Sequence, residues 1–250
     1  MPPSLEVFPV LGLPEIQPGD DLAAMLLNAC KKQRLGIRTG DIFVVAHKIV
    51  SKAEGRIVAL NSVNPSEQSI QWAGEYNKDP HLFQLILNET QRIVRMDRGV
   101  IISETRHGFV CANAGVDTSN VPEGHAILLP KDPDRSARDL QKRLTKQSGV
   151  FVGIIVSDTF GRPWREGIVN VALGVAGLPA LDDYRGRRDR MGKTMQATLI
   201  ARADEIACAA ELVMGKSRGV PIALVRGLNY SSRSGSGRQL LRSPERDLFR

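Results

Sequence analysis

Two hydrophobic periods alternate along this chain, and the switches between them mark its elements. Residues 5–10, 42–46 and 151–156 are short apolar, β-branched runs with polar residues on either side, the pattern of buried strands. Residues 222–225 form a last core run of the same kind. Shorter runs at 92–96, 100–103 and 109–112 read as strands of an antiparallel or mixed sheet, with Arg106-His107-Gly108 as a turn. Helical spacing takes over at 22–30, 66–76, 80–90, 133–147 and 204–214. The starts at Asp20-Asp21, Ser66, Asp79-Pro80 and Asp132-Pro133 carry side chains that accept from the orphaned N–H groups of a first turn, or a proline that lacks one. An apolar run at 169–175 and a strand at 195–200 complete an α/β chain.

Three polar stretches at strand ends carry the candidate chemistry. Strand 151–156 stops at Ser157-Asp158-Thr159, before a loop rich in Gly, Arg, Pro and Trp, which places Asp158 and Thr159 where open sheets gather ligands. The same two residues could equally cap a turn. Strand 109–112 opens into residues 113–120, where Gly115 frees the backbone and Asp117 and Asn120 are presented to a ligand or to an Asx turn. Strand 42–46 runs into a polar segment, 47–55, with His47, Lys48 and Lys52; such lysines are either solvated or phosphate contacts. The carboxylates of Asp117 and Asp158, with Thr159 and Asn120 as neutral oxygens, suit Mg²⁺ or Mn²⁺ bridging substrate phosphates. Lys48, Lys52, Arg162 and Arg165 would neutralise the remaining phosphate charge, a layout for phosphoryl transfer.

Composition narrows the partners. With 250 residues, 42% of them hydrophobic and 24% charged, the chain fits one large globular domain or two lobes. No run is long enough to span a membrane, and residues 1–6 lack the layout of a signal peptide, so a cytoplasmic location is expected. Cys30, Cys111 and Cys208 are far apart among apolar or small neighbours, as buried thiols are, and the four histidines show no metal-clamp spacing. A net charge of +7 calls for a polyanion. With aromatics at 5% and no basic helix interleaved with stacking residues, that polyanion is expected to be a phosphate-rich small molecule and not nucleic acid. Gly192-Lys193-Thr194 imitates the end of a P-loop, but five residues separate Gly186 from Gly192 where that motif has four, and no hydrophobic strand precedes it. From Leu228 onward the Ser/Gly/Arg-rich composition reads as a mobile tail.

The stretches GLPEIQPGDDL (12–22), SKAEGR (51–56), NAGVDTSN (113–120), SDTFGRPWREG (157–167), ADEIACAAELVMGK (203–216) and VRGLN (225–229) occur in order from end to end. Together they resemble the coenzyme F420-0:γ-glutamyl ligases, and the Trp-containing form of the fourth is similar to the bacterial branch. The resemblance implies a GTP-dependent amide ligase that adds L-glutamate to the phospholactyl carboxylate of the deazaflavin coenzyme, and then γ-linked glutamates. It implies two divalent cations, Mn²⁺ or Mg²⁺, stimulation by K⁺, and an intertwined homodimer. The implied fold is mixed α+β, with two interwound lobes (about 1–90 plus 202–250, and 91–201) whose mixed sheets are flanked by helices, without a P-loop.

Carried over residue by residue, the resemblance assigns Leu13, Pro14, Glu15, Ile16, His47, Lys48, Lys52 and Asn120 to GTP. It assigns Asp117 and Asp158 to one metal and Thr159 to the second. It departs at Met214-Gly215-Lys216-Ser217: archaeal-type members have an acidic ligand of the second metal where Lys216 stands, and a protonated lysine cannot ligate. Two alternatives stay open at this point, a related acid–amine ligase or kinase acting on another phosphorylated acid, and a non-catalytic nucleotide- or nucleic-acid-binding protein.

Overall fold

The computed structural model describes residues 4–230 and 234–247. In chain order its elements are β1 (Glu6–Pro9), α1 (Leu22–Lys32), β2 (Ile42–Ala46), α2 (His47–Ala53), β3 (Ile57–Ala59), α3 (Glu67–Tyr76), α4 (Pro80–Glu89), β4 (Thr90–Asp97), β5 (Val100–Thr105) and β6 (Val110–Ala112). There follow β7 (His125–Ile127), α5 (Pro133–Ser148), β8 (Gly153–Arg162), β9 (Arg165–Ala176), β10 (Asp182–Asp183), β11 (Leu199–Ile200), α6 (Arg202–Met214) and β12 (Ile222–Arg226). Helices with one mixed sheet and three small antiparallel sheets make this an α+β fold. Among the described residues no helix is long and apolar enough to cross a membrane.

The main sheet has the order β1-β12-β2-β8-β9, with β2 and β8 parallel and the other pairs antiparallel. Every side chain from Ile42 to Val45 is buried, because both faces of the sheet are covered. Phe43, Val45, Ile154, Val156 and Leu224 point to one face, where they meet Leu26 and Cys30 of α1 and Ala137, Leu140 and Leu144 of α5. Ile42, Val44, Ile155 and Val225 point to the other and meet Ala203, Ile206, Ala207 and Ala210 of α6. Each fully buried Leu or Ile contributes about 2 kcal/mol of transfer free energy. This period-two division fixes the register, since a one-residue slip would exchange the two cores. A separate core, with Phe83, Ile86, Ile101, Val116 and Leu128, lies under the three-stranded sheet β4-β5-β6 and helices α3 and α4.

Several local readings change. Most of the polar segment 47–55 is helical: His47–Ala53 form α2, whose N-cap position, Ala46, has no capping side chain, so the usual start signal is missing. The strand expected to stop at Val156 continues to Arg162, because β9 supplies a partner as far as Arg162↔Arg165 after β2 has left the sheet at Ala46↔Ser157. The Pro/Trp stretch is accordingly the tip of a hairpin. Of the strand expected at 195–200, only Leu199–Ile200 pairs, with Asp182–Asp183. The segment around Gly192 is an exposed turn closed by an Arg188↔Thr194 bridge, in keeping with the absence of a P-loop. In the tail expected to be mobile, residues 231–233 lie outside the described set, as do residues 1–3 of the N-terminal stretch. Beyond them, Gly237 N–H donates to the buried Asp134 carboxylate at 2.7 Å and holds the chain against β9.

Candidate active site

Where β2 ends, the sheet opens. Ser157 is the last residue of β8 paired to β2, so Asp158 and Thr159 project beside the gap into a cavity of about 470 Å³. Its wall takes in Leu13, Pro14, Glu15 and Ile16 from the loop after β1, and His47, Lys48 and Lys52 from α2. Asn120 comes from the loop after β6, and the turn after α6 closes the far side with Gly215 and Lys216. Gly19 N–H donates to Ala53 O at 2.8 Å, and Lys52 Nζ pairs with Glu15, so the first loop is anchored to α2 at two points.

Asp117 is not itself on the wall but reaches it through Lys48, whose Nζ lies 2.7 Å from Asp117 Oδ2. The approach of this loop is set by a left-handed turn: Asn113 and Ala114 both have φ 52° and Gly115 has φ 73°. An alanine seldom adopts that conformation, and the burial of Ala114 in the separate core under β4-β5-β6 holds it there. Asp117 then exchanges backbone hydrogen bonds with Ile127, at 3.1 and 2.8 Å, which fixes its Cα. Burial pulls its carboxyl pKa upward, but hydrogen bonds from Lys48 and from Ser119 outweigh this and hold it below the ordinary 3.8.

Asp158 is set in a similar field. Burial would raise its pKa, but the His47 ring, the Thr159 N–H at 2.7 Å and the Lys216 ammonium outweigh that and keep the carboxyl ionised below the ordinary value. His47 Nε2 stands 3.3 Å from Asp158 Oδ1, yet the alignment is too poor for a hydrogen bond. Two buried polar atoms at this spot, His47 Nε2 and Ser157 Oγ, make no hydrogen bond. From Lys216 a directional relay crosses the cavity floor. Lys216 Nζ donates to Thr159 Oγ1, Thr159 donates to Asn170 Oδ1 at 2.9 Å, and Asn170 Nδ2 donates to Glu211 Oε2 at 3.1 Å.

The residues admit one hard cation more readily than two. No three His, Cys, Asp or Glu side chains cluster as a metal cage among the described residues, so an ion here would complete its shell with phosphate oxygens, as magnesium commonly does. The Asp158 carboxylate beside polar atoms that make no hydrogen bond fits that mode. At Thr159 an ammonium already holds the hydroxyl, so a second cation fits there only if Lys216 withdraws.

Every residue that the resemblance assigns to GTP lines this cavity, as do Asp158 and Thr159. Arg162 and Arg165 do not; they lie out on the hairpin, where Arg162 donates to Glu166 O at 2.7 Å. Asn170 and Glu211 went unrecognised because each sits inside a regular pattern, Asn170 in the apolar run of β9 and Glu211 in an amphipathic helix. The available signal was a carboxylate in a last helical turn that holds no basic residue.

The family model described as F420-0:gamma-glutamyl ligase matches residues 11–227. The chain is 45% identical over 253 residues to a protein of Methanopyrus kandleri named coenzyme F420:L-glutamate ligase, covering 99% of this chain and 98% of that one. Proteins of the same name from Methanothermobacter thermautotrophicus and Archaeoglobus fulgidus are 45% and 41% identical, over 98% of this chain in each case and 99% and 96% of their own lengths. A match across most of the chain, at identities of this size over nearly full length, shows that the protein is an enzyme of the F420-0:gamma-glutamyl ligase family.

Proposed function

We propose that this enzyme uses GTP to join L-glutamate to the phospholactyl carboxylate of coenzyme F420-0, and then extends the product through γ-linkages. The observation that carries the reading is the convergence of Asp158 and Thr159 with Lys48, Lys52 and Lys216 on one cavity at the open end of β2 and β8. A carboxylate does not condense with an amine in water until it is made electrophilic. Transfer of the GTP γ-phosphoryl group to it would give an acyl phosphate that the amine attacks.

The protein's part is to position the reactants and neutralise charge. Residues 13–16, His47, Lys48, Lys52 and Asn120 would hold the nucleotide, with the lysines offsetting phosphate charge. Asp158 and Asp117 would hold one Mg²⁺ or Mn²⁺, with Thr159 as the donor for a second, and when bound the metal would polarise the transferred phosphoryl group. Asp158 is suited to that task because its neighbours keep it ionised in spite of burial. Stimulation by K⁺ and assembly as an intertwined homodimer belong to the same reading.

Mass spectrometry of coenzyme F420-0 after incubation with the protein, GTP, Mn²⁺ and L-glutamate tests it. A gain of one glutamyl residue that depends on GTP, followed by further residues, is expected. GTP turnover without any adduct would overturn it.

A further inference from the structure

Three acidic side chains line the cavity, and two of them face a basic one: Glu15 pairs with Lys52, and Asp158 stands against His47. Glu211 makes no ion pair among the described residues. Its Oε2 accepts only from the neutral Asn170 amide. Its position sharpens the imbalance, because Glu211 lies in the last turn of α6, where the helix dipole already gathers partial negative charge; that turn holds no basic residue, and Lys216 just beyond it is committed to the Thr159 hydroxyl. A half-buried carboxylate so placed, on the wall of a ligand cavity, calls for a cationic group from the ligand itself.

We infer that Glu211 is the subsite for the ammonium group of the incoming amino acid and takes its first proton. The inference rests on the ligase reading above. L-Glutamate brings one cation to the reaction, and its nitrogen is nucleophilic only after losing a proton. A proton passes from the ammonium to the Glu211 carboxylate, and the freed nitrogen lone pair attacks the carbonyl carbon of the acyl phosphate. The C–N bond forms as the C–O bond to phosphate breaks. The second nitrogen proton leaves with the phosphate, and Glu211 returns its own proton to water. The hydrogen bond from Asn170 orients the carboxylate, and through Thr159 the relay ties it to the phosphoryl side of the cavity.

The test pairs Glu211→Gln, which keeps an oxygen for Asn170, with two nucleophiles. L-Glutamate must be deprotonated; hydroxylamine is uncharged at neutral pH and traps an acyl phosphate as a hydroxamate without a base. In Glu211→Gln, kcat/KM for L-glutamate is expected to fall about a hundredfold, with a raised KM and a rate that climbs with pH as free amine accumulates. GTP-dependent hydroxamate formation from coenzyme F420-0 should persist. Unchanged GTP protection against thermal unfolding shows that the variant is folded; Glu211→Asp, expected to retain part of the glutamate activity and all of the hydroxamate activity, serves if it is not. Equal loss of both products in Glu211→Gln would place Glu211 in carboxylate activation and overturn the inference, as would glutamate ligation at wild-type KM. Failure of the wild-type protein to form either product would instead overturn the ligase reading, and the inference with it.

Discussion

His47 and Asp158, the first residue of a helix and the middle of a strand, bring Nε2 and Oδ1 to 3.3 Å beside the cavity without a true hydrogen bond. The carboxylate therefore keeps oxygen lone pairs that the protein does not use. Asp158→Asn preserves the shape and removes the charge, so the variant is expected to stay folded while metal-dependent GDP release falls more than about a hundredfold, as for a direct metal ligand. Nucleotide turnover with a parallel melting curve checks this; near-normal turnover would count against Asp158 as a ligand.

Acid sensitivity follows from the same two aspartates. Asp117 and Asp158 are held below the ordinary carboxylate value of 3.8 in the folded protein. Each contributes stability that is fully present above the unfolded value and is lost as pH falls through the lower folded one. Melting temperature should therefore drop as pH falls below about 4, and Asp158→Asn should show a shallower drop. Parallel curves for the two proteins would mean that Asp158 carries no such linkage.

The two buried thiols, Cys30 and Cys111, are expected to be inert; Cys208, expected from the sequence to be buried, is only half-buried. Burial, with the nearby charge of Asp41, pushes Cys30 up to about 11, and burial with the charge of Asp158 pushes Cys111 up to about 12. At about pH 8 almost none of either is thiolate, so iodoacetamide should leave both unmodified in the native protein and label both after denaturation. Peptide mass mapping reads the result directly.

Close packing of β9 against the start of α5 gives a stability test. A Cβ at Gly174 would lie 2.1 Å from Pro133 O and 2.3 Å from its carbonyl carbon, and backbone atoms cannot swing away as a side chain can. Gly174→Ala should lower unfolding free energy by more than about 2 kcal/mol, read from the urea midpoint. Gly36→Ala, with nothing within 4 Å of the added carbon, should leave it nearly unchanged.

Much of the scaffold is legible in the residues themselves. Asp21, Ser66, Asp79 and Asp132 each accept a hydrogen bond from the first turn of the helix that they announce. The apolar runs at 42–46 and 222–225 lie in the main sheet as read. Elements specified by tertiary contacts were not legible: α2 has no capping side chain, β3 and β7 are three residues each and form a two-stranded sheet, and β8 extends past its apolar run because β9 accompanies it. The site divides in the same way. Asp158, Thr159, His47 and Lys48 stand out at strand ends, whereas the relay through Asn170 to Glu211 exists only once β9 and α6 are packed.

Strand order has a consequence for synthesis on the ribosome. Because β12 lies between β1 and β2, the first strand has nothing to pair with until residues 222–226 have been made. The loop after β1 and the turn after α6 then take their places in the wall together. A nascent chain is thus without a complete pocket wall until β12 has been made and taken its place between β1 and β2.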